Sequence, residues 1–276
     1  RVPSGPRGNP FEDIAVQGPM ARNVRDVAFF LDLLSRQDLN VPFSTSSQHN
    51  SFLRHANEPN TKAKIAFSAD LGLGTVQSDI TTVVTKAIQG LTRDGFSIQP
   101  TDLSLKFMDA PYHVFRALDF AAGLGGHLQH DRDKLKPEVV WNIEKGLSLD
   151  GNEIVSAMNA RGKAYFQVLK IFETADVLIC PASIVKPFDV EQRYFGEADG
   201  LGYENYLDWL AITYVLSPLG LPVLTLPCGM TDDGLPVGIQ IIGKPQGEGA
   251  LLSVGVAIEA AIGQWATCEQ ELETLL

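Results

Sequence analysis

The chain has 276 residues, 45% of them hydrophobic and 20% charged, with a formal net charge of −11. That is enough apolar material for a substantial core, as one large domain or two modest ones, and the acidic balance argues against nucleic acid or an anionic membrane as a partner. Three widely spaced cysteines, Cys180, Cys228 and Cys268, form neither a disulfide framework nor a CxxC pair, and no run of about 18 apolar residues suggests a membrane span, so a reducing, cytoplasmic setting is expected.

The opening RVPSGPRGNP lacks a methionine. It is expected to follow processing or to continue from a longer polypeptide, and residues 1–19 read as irregular. Asn23 offers a helix N-cap, with Asp26 three positions on. Val24, Val27, Ala28, Leu31 and Leu34 then recur at helical spacing to about Ser35. Residues 37–61 are polar and suit a surface loop. A short strand at 64–67, a helix over 78–93 with Ile80, Val83, Val84, Ile88 and Leu91 inward, and a strand at 96–98 make a βαβ unit. Residues 105–173 read as mostly helical, and 177–180 as a buried strand.

A Tyr- and Gly-rich loop at 194–206 precedes a helix near 205–215. Two apolar runs, 221–226 and 237–242, flank Asp232-Asp233-Gly234 and predict a hairpin. Both runs are apolar at nearly every position, which predicts cover on both faces of both strands. A last helix spans about 247–262, with Leu251, Leu252, Val254 and Ile258 inside. The fold class is α/β, a mixed and mainly parallel sheet between helical layers, in one domain over 1–276 without an internal boundary.

Chemistry is harder to find in these residues. No G-x-S-x-G elbow occurs, and Ser4 lies between prolines in a rigid P-S-G-P turn. Cys180 and Cys228 end apolar strands and read as inert buried thiols. His127-x-x-His130-Asp131 is polar throughout and reads as a solvated helix end rather than a metal site. Gly72-x-Gly74 and Gly243-Lys244-Pro245 lack the remaining residues of dinucleotide and phosphate loops and read as turns. No catalytic residue, metal ligand or cofactor is assigned.

Three ordered blocks nevertheless resemble the amidase signature family: GPMARNVRDVAFFLDLL at 18–34, ADVLICPASIVKP at 175–187, and SPLGLPVLTLPCGMTDDGLPVGIQIIGKPQGEGALL at 217–252. The resemblance implies the C-terminal portion of that fold. It also implies amide hydrolysis by a serine nucleophile, a second serine on a cis peptide and a lysine that relays protons between them, with backbone N–H groups holding the oxyanion. In the family those groups precede the point matched by the first residue here, so none is carried over. The N-terminal remainder of the same protein is the implied partner, a small-molecule amide the implied substrate, and a homodimer is possible. This half would complete the sheet and form one wall of the acyl pocket, with Tyr194, Phe195, Tyr203, Thr213 and Ser217 as candidate substrate-binding residues. Ser217 stands where the family often has Asn. The region of Tyr112, Phe115 and Phe120 is a second candidate wall, and the aromatic loop hints at aryl or fatty amides. The alternatives are a protein like the hydrolytic subunit of an amidotransferase, or an inactive fragment or binding module.

Overall fold

The computed structural model describes residues 2–3, 9–44, 51–74, 76–192, 194–195, 197–198, 201–202 and 205–263. Helix α1 (Val24–Leu34) begins at the expected cap. Asn23 accepts from the Asp26 N–H at 2.8 Å, and its amide donates back to the Asp26 carboxylate at 2.9 Å. A short helix α2 (Phe52–Ala56) follows where a loop was expected. Ser51 caps it by accepting from Arg54 N–H, and Asp32 of α1 accepts from Phe52 N–H at 2.7 Å and Leu53 N–H at 3.1 Å, filling donors that a helix start leaves open.

Strand β1 (Lys64–Phe67), helix α3 (Ser78–Arg93) and strand β2 (Ser97–Pro100) form the expected βαβ unit, with β1 and β2 parallel. All five residues predicted to face inward on α3 are buried. The helical middle comprises α4 (Asp109–Leu124), α5 (His127–His130), α6 (Pro137–Ser148) and α7 (Gly151–Ile171). Asp150 and Glu153 close a capping box at the start of α7. Gly146 lets α6 lie against α4, because a Cβ there would stand 2.1 Å from the Ala117 carbonyl oxygen. Strand β3 (Val177–Pro181) is buried at every position.

The 194–206 loop carries a two-stranded ribbon, β4 (Glu197–Ala198) and β5 (Leu201–Gly202). The helix expected near 205–215 is shorter: a 3-10 turn at Asp208–Leu210 leads into α8 (Ala211–Tyr214). Strands β6 (Val223–Met230) and β7 (Pro236–Gly243) make the hairpin, reversing where Gly234 takes φ +81°. Helix α9 (Glu248–Ile262) closes the described chain.

The five main strands run in the order β2-β1-β3-β7-β6. Pairs β1–β2 and β1–β3 are parallel, while β3–β7 and β6–β7 are antiparallel, so every strand but β7 runs in one direction. One face is covered by α1, α3 and α9 through Val24, Ile80, Val84, Leu252 and Ile258. The other is covered by α7, α8 and neighbouring turns through Ala164, Val168, Ile212 and Leu219.

The expectation of two-sided cover fails for β6. Strand β7 is buried at almost every position, but β6 alternates. Leu224, Leu226 and Cys228 point into the core, whereas Val223, Thr225 and Pro227 are exposed. The physical reason is its place at the rim of the sheet, where the second helical layer stops short. Its register with β7 also slips between Pro227 and Gly229, an irregularity suited to an edge.

Candidate functional site

Beyond the C-terminal end of β3 the chain leaves the sheet through Ser183–Phe188, and β7 enters beside it at Pro236. Between them lies a cavity of about 270 Å³. Its walls are mainly apolar: Ile80 from α3, Pro187 and Phe188 from the exit loop, Trp209 from the turn before α8, and Val237 from β7. Space outside the carboxyl ends of sheet strands is where α/β folds place ligands. The aromatic wall is continuous. Phe188 packs edge-on against Trp209 with ring centres 5.3 Å apart, and against Phe195 at 5.5 Å.

The candidate residues fall around this wall unequally. Phe195 is half-buried and packed on Phe188. Tyr194 is 44% exposed. Tyr203 lies outside the described residues. The hydroxyls of Thr213 and Ser217 are turned onto their own backbone, donating to Leu210 O at 2.7 Å and Thr213 O at 3.2 Å. Thr213 is half-buried and Ser217 exposed. Sequence reasoning centred on the 182–217 region but passed over Phe188 and Trp209, the two rings that line the cavity. A tryptophan between a polar loop and an apolar run was the available signal.

The second candidate wall, on α4, carries a polar aromatic cluster. Tyr112 and Tyr214 stack with ring centres 4.3 Å apart, and His113 meets Tyr214 edge-on at 5.7 Å. Tyr214 donates its hydroxyl to Asp109. Burial, then that carboxylate, raises the Tyr214 phenol above its ordinary range, so it stays protonated. Burial and the neighbouring Lys145 ammonium hold the His113 imidazole below its ordinary value. Phe115 faces the Arg161 guanidinium at 5.6 Å, and Phe120 that of Arg116 at 4.7 Å. Arg161 also ties down the N-terminal segment through Asp13.

Cys180, Cys228 and Lys186 are poorly poised to act as nucleophile or base. Cys180 is fully buried, and burial raises its thiol well above the usual range. Burial likewise pushes Cys228 up to about 12. Lys186, at the cavity, donates to Asp79 at 2.7 Å and Asp233 at 3.0 Å. Those two hydrogen bonds push its pKa up to about 12, so it is a fixed cation tying the exit loop to α3 and the hairpin tip, not a proton acceptor. His127 and His130 lie on an exposed helix end, with His127 beside Asp131 at 3.5 Å. Among the described residues no cluster of three or more His, Cys, Asp or Glu side chains is placed to hold a metal ion. No described helix is long and apolar enough to cross a membrane.

Comparison with known proteins accords with this architecture. An acylamidase of Rhodococcus erythropolis is 25% identical over 93% of this chain and 54% of its own length. A glutamyl-tRNA(Gln) amidotransferase subunit of Pediococcus pentosaceus is 27% identical over 88% of this chain and 54% of its own. The chain thus spans about half the length of the curated relatives it matches. Among solved structures, a bacterial aryl acylamidase of the amidase signature enzymes superposes with a TM-score of 0.83, at 22% identity, over 97% of this chain and 57% of that one. A 6-aminohexanoate cyclic dimer hydrolase follows with a TM-score of 0.76, at 19% identity, over 89% and 55%. The Amidase family model matches residues 1–252, and with the strand order and hairpin described above it places the chain in the amidase family.

Proposed function

We propose that this chain is the sheet-completing, pocket-forming part of an amide hydrolase that works through a serine acyl-enzyme. The two serines and the lysine come from a preceding part of the same protein. The observation that carries the reading is the cavity at the end of β3, beside the uncovered face of β6, in a chain of this family. A second body of protein seated on Val223, Thr225 and Pro227 would roof the cavity and bring reactive groups to its apolar wall. The inert state of Cys180, Cys228 and Lys186 supports placing the chemistry there.

The walls favour a neutral amide with an aromatic or branched apolar acyl group, since Phe188, Trp209, Ile80 and Val237 offer contact area and few hydrogen bonds. A cytoplasmic setting and a single structural unit with the preceding part complete the proposal. The test compares residues 1–276 with the protein extended to the full length of its relatives, using an anilide substrate. Hydrolysis is expected from the longer protein alone, with Trp209→Ala raising KM. Turnover by residues 1–276 alone would refute the placement of the catalytic groups. The amidotransferase reading rests on relatives such as that of Pediococcus pentosaceus. Glutamine-dependent activity together with a copurifying second subunit would favour it instead.

A further inference from the structure

Among the described residues, Arg116 on α4 lacks the carboxylate partner that other arginines and a lysine of the helical layer have. Arg161 is paired with Asp13, Arg132 with Glu144 and Lys134 with Asp131. Arg116 is half-buried, and among the described residues no carboxylate lies within 4.0 Å of its guanidinium. One terminal nitrogen, Nη2, donates to the Tyr206 hydroxyl at 3.3 Å. Its Nε–H is buried with no partner. The guanidinium lies over the rings of Phe120 at 4.7 Å and Tyr206 at 5.9 Å.

The neighbouring carboxylates are committed elsewhere. Asp109 accepts from Tyr214, and Asp208 accepts from the backbone and side chain of Asn205. Tyr206 is braced from the other side by Asn142, 1% exposed, whose amide donates to the same phenolic oxygen at 2.7 Å. That oxygen therefore receives two donors. Lys145 adds a second cation nearby, lying 5.1 Å from the ring centre of the half-exposed Trp141, which itself packs edge-on against Tyr206. Burial works against this charge, while the Tyr206 and Tyr112 phenols beside it support it and leave its pKa raised. Among the described residues, the guanidinium keeps one buried donor unfilled and meets no carboxylate, so a counter-charge would complete its surroundings.

We propose that Arg116 is the seat of an anion site that takes a carboxylate carried on an apolar body. The planar guanidinium can present two parallel donors to a carboxylate. Trp141 and Phe120 supply the surface for the body of the ligand, and Lys145 strengthens the field. This assignment stands independently of the hydrolase reading, because it needs no turnover.

The test titrates residues 1–276 with benzoate, with neutral benzamide and with inorganic phosphate, at ionic strength fixed with chloride. Binding is followed by calorimetry and by the arginine side-chain N–H resonances. Saturable benzoate binding that shifts the Arg116 Nε–H signal is expected, weakened about tenfold or more in Arg116→Gln and about tenfold in Arg116→Lys, which keeps the charge but loses the fork. Should Arg116→Gln fail to fold, Arg116→Lys and the ligand series decide. No saturable signal, benzamide binding as well as benzoate, tighter binding of phosphate, or benzoate affinity unchanged in a folded Arg116 variant would each overturn the assignment.

Discussion

Gln240 is a buried amide in the middle of β7, and its removal tests how α8 is held to the sheet. Its Nε2 donates to Ile212 O at 3.0 Å and Pro181 O at 3.1 Å, and touches the Cys180 sulfur at 3.5 Å. Ile212 lies in the four-residue helix α8, whose carbonyls have few partners within so short a helix. In Gln240→Leu two neutral hydrogen bonds of about 1 kcal/mol each are lost, and the Ile212 carbonyl stays buried without a donor. The gain from a more apolar side chain offsets part of this, leaving a net loss of roughly 2–3 kcal/mol. At about 2–4 °C per kcal/mol for a chain of this size, the midpoint should fall by roughly 4–12 °C. Thermal unfolding followed by circular dichroism measures the fall, and hydrogen exchange should show faster opening confined first to residues 211–219. A variant as stable as the parent, with unchanged exchange in that segment, would refute the view that this amide anchors α8. Because α8 carries Thr213 and follows Trp209, the same variant should loosen the cavity wall.

Other outcomes follow from the packing and the charges. Gly146→Ala should cost about 1–3 kcal/mol in chemical denaturation, because the new methyl meets backbone and cannot be accommodated by a rotamer change. His113 has a folded pKa below its unfolded value of 6.5, so the unfolded chain binds more protons as the pH falls through 6.5. Stability from this residue is complete above that pH and is lost below it, and His113→Gln should flatten the urea midpoint between about pH 7 and 5 relative to the parent. Cys180 and Cys228 should resist an aromatic disulfide reagent at pH 8 in the native state and react only on unfolding, as mass spectrometry of the labelled peptides would show.

Much of the fold was legible because local pattern and tertiary context agree. The α3 periodicity, the Asn23 cap and the Gly234 reversal each combine a sequence signal with a matching local geometry. Helix α2 was hidden because it is only five residues long and its Ser51 cap is reinforced by Asp32, about twenty residues upstream and brought close only by folding. The rim position of β6 was hidden because Val223, one of its exposed positions, lies in the apolar 221–226 run and reads as buried. The site was the least legible part. Thr213 and Ser217 carry hydroxyls suited to a ligand, but a short helix lets them satisfy backbone carbonyls first. Arg116, Asn142 and Tyr206 are far apart in sequence, and nothing local announces that they meet.

The interrupted ladder of β6 constrains what can be joined to it. Pro227 has no N–H to offer, and the register of β6 with β7 slips between Pro227 and Gly229, so the rim strand is irregular there. Two copies of this chain meeting rim to rim would each bring the same break, so their union would be short of hydrogen bonds and slow to propagate. A break of this kind at a sheet rim disfavours the edge-to-edge pairing of copies that ends in aggregates.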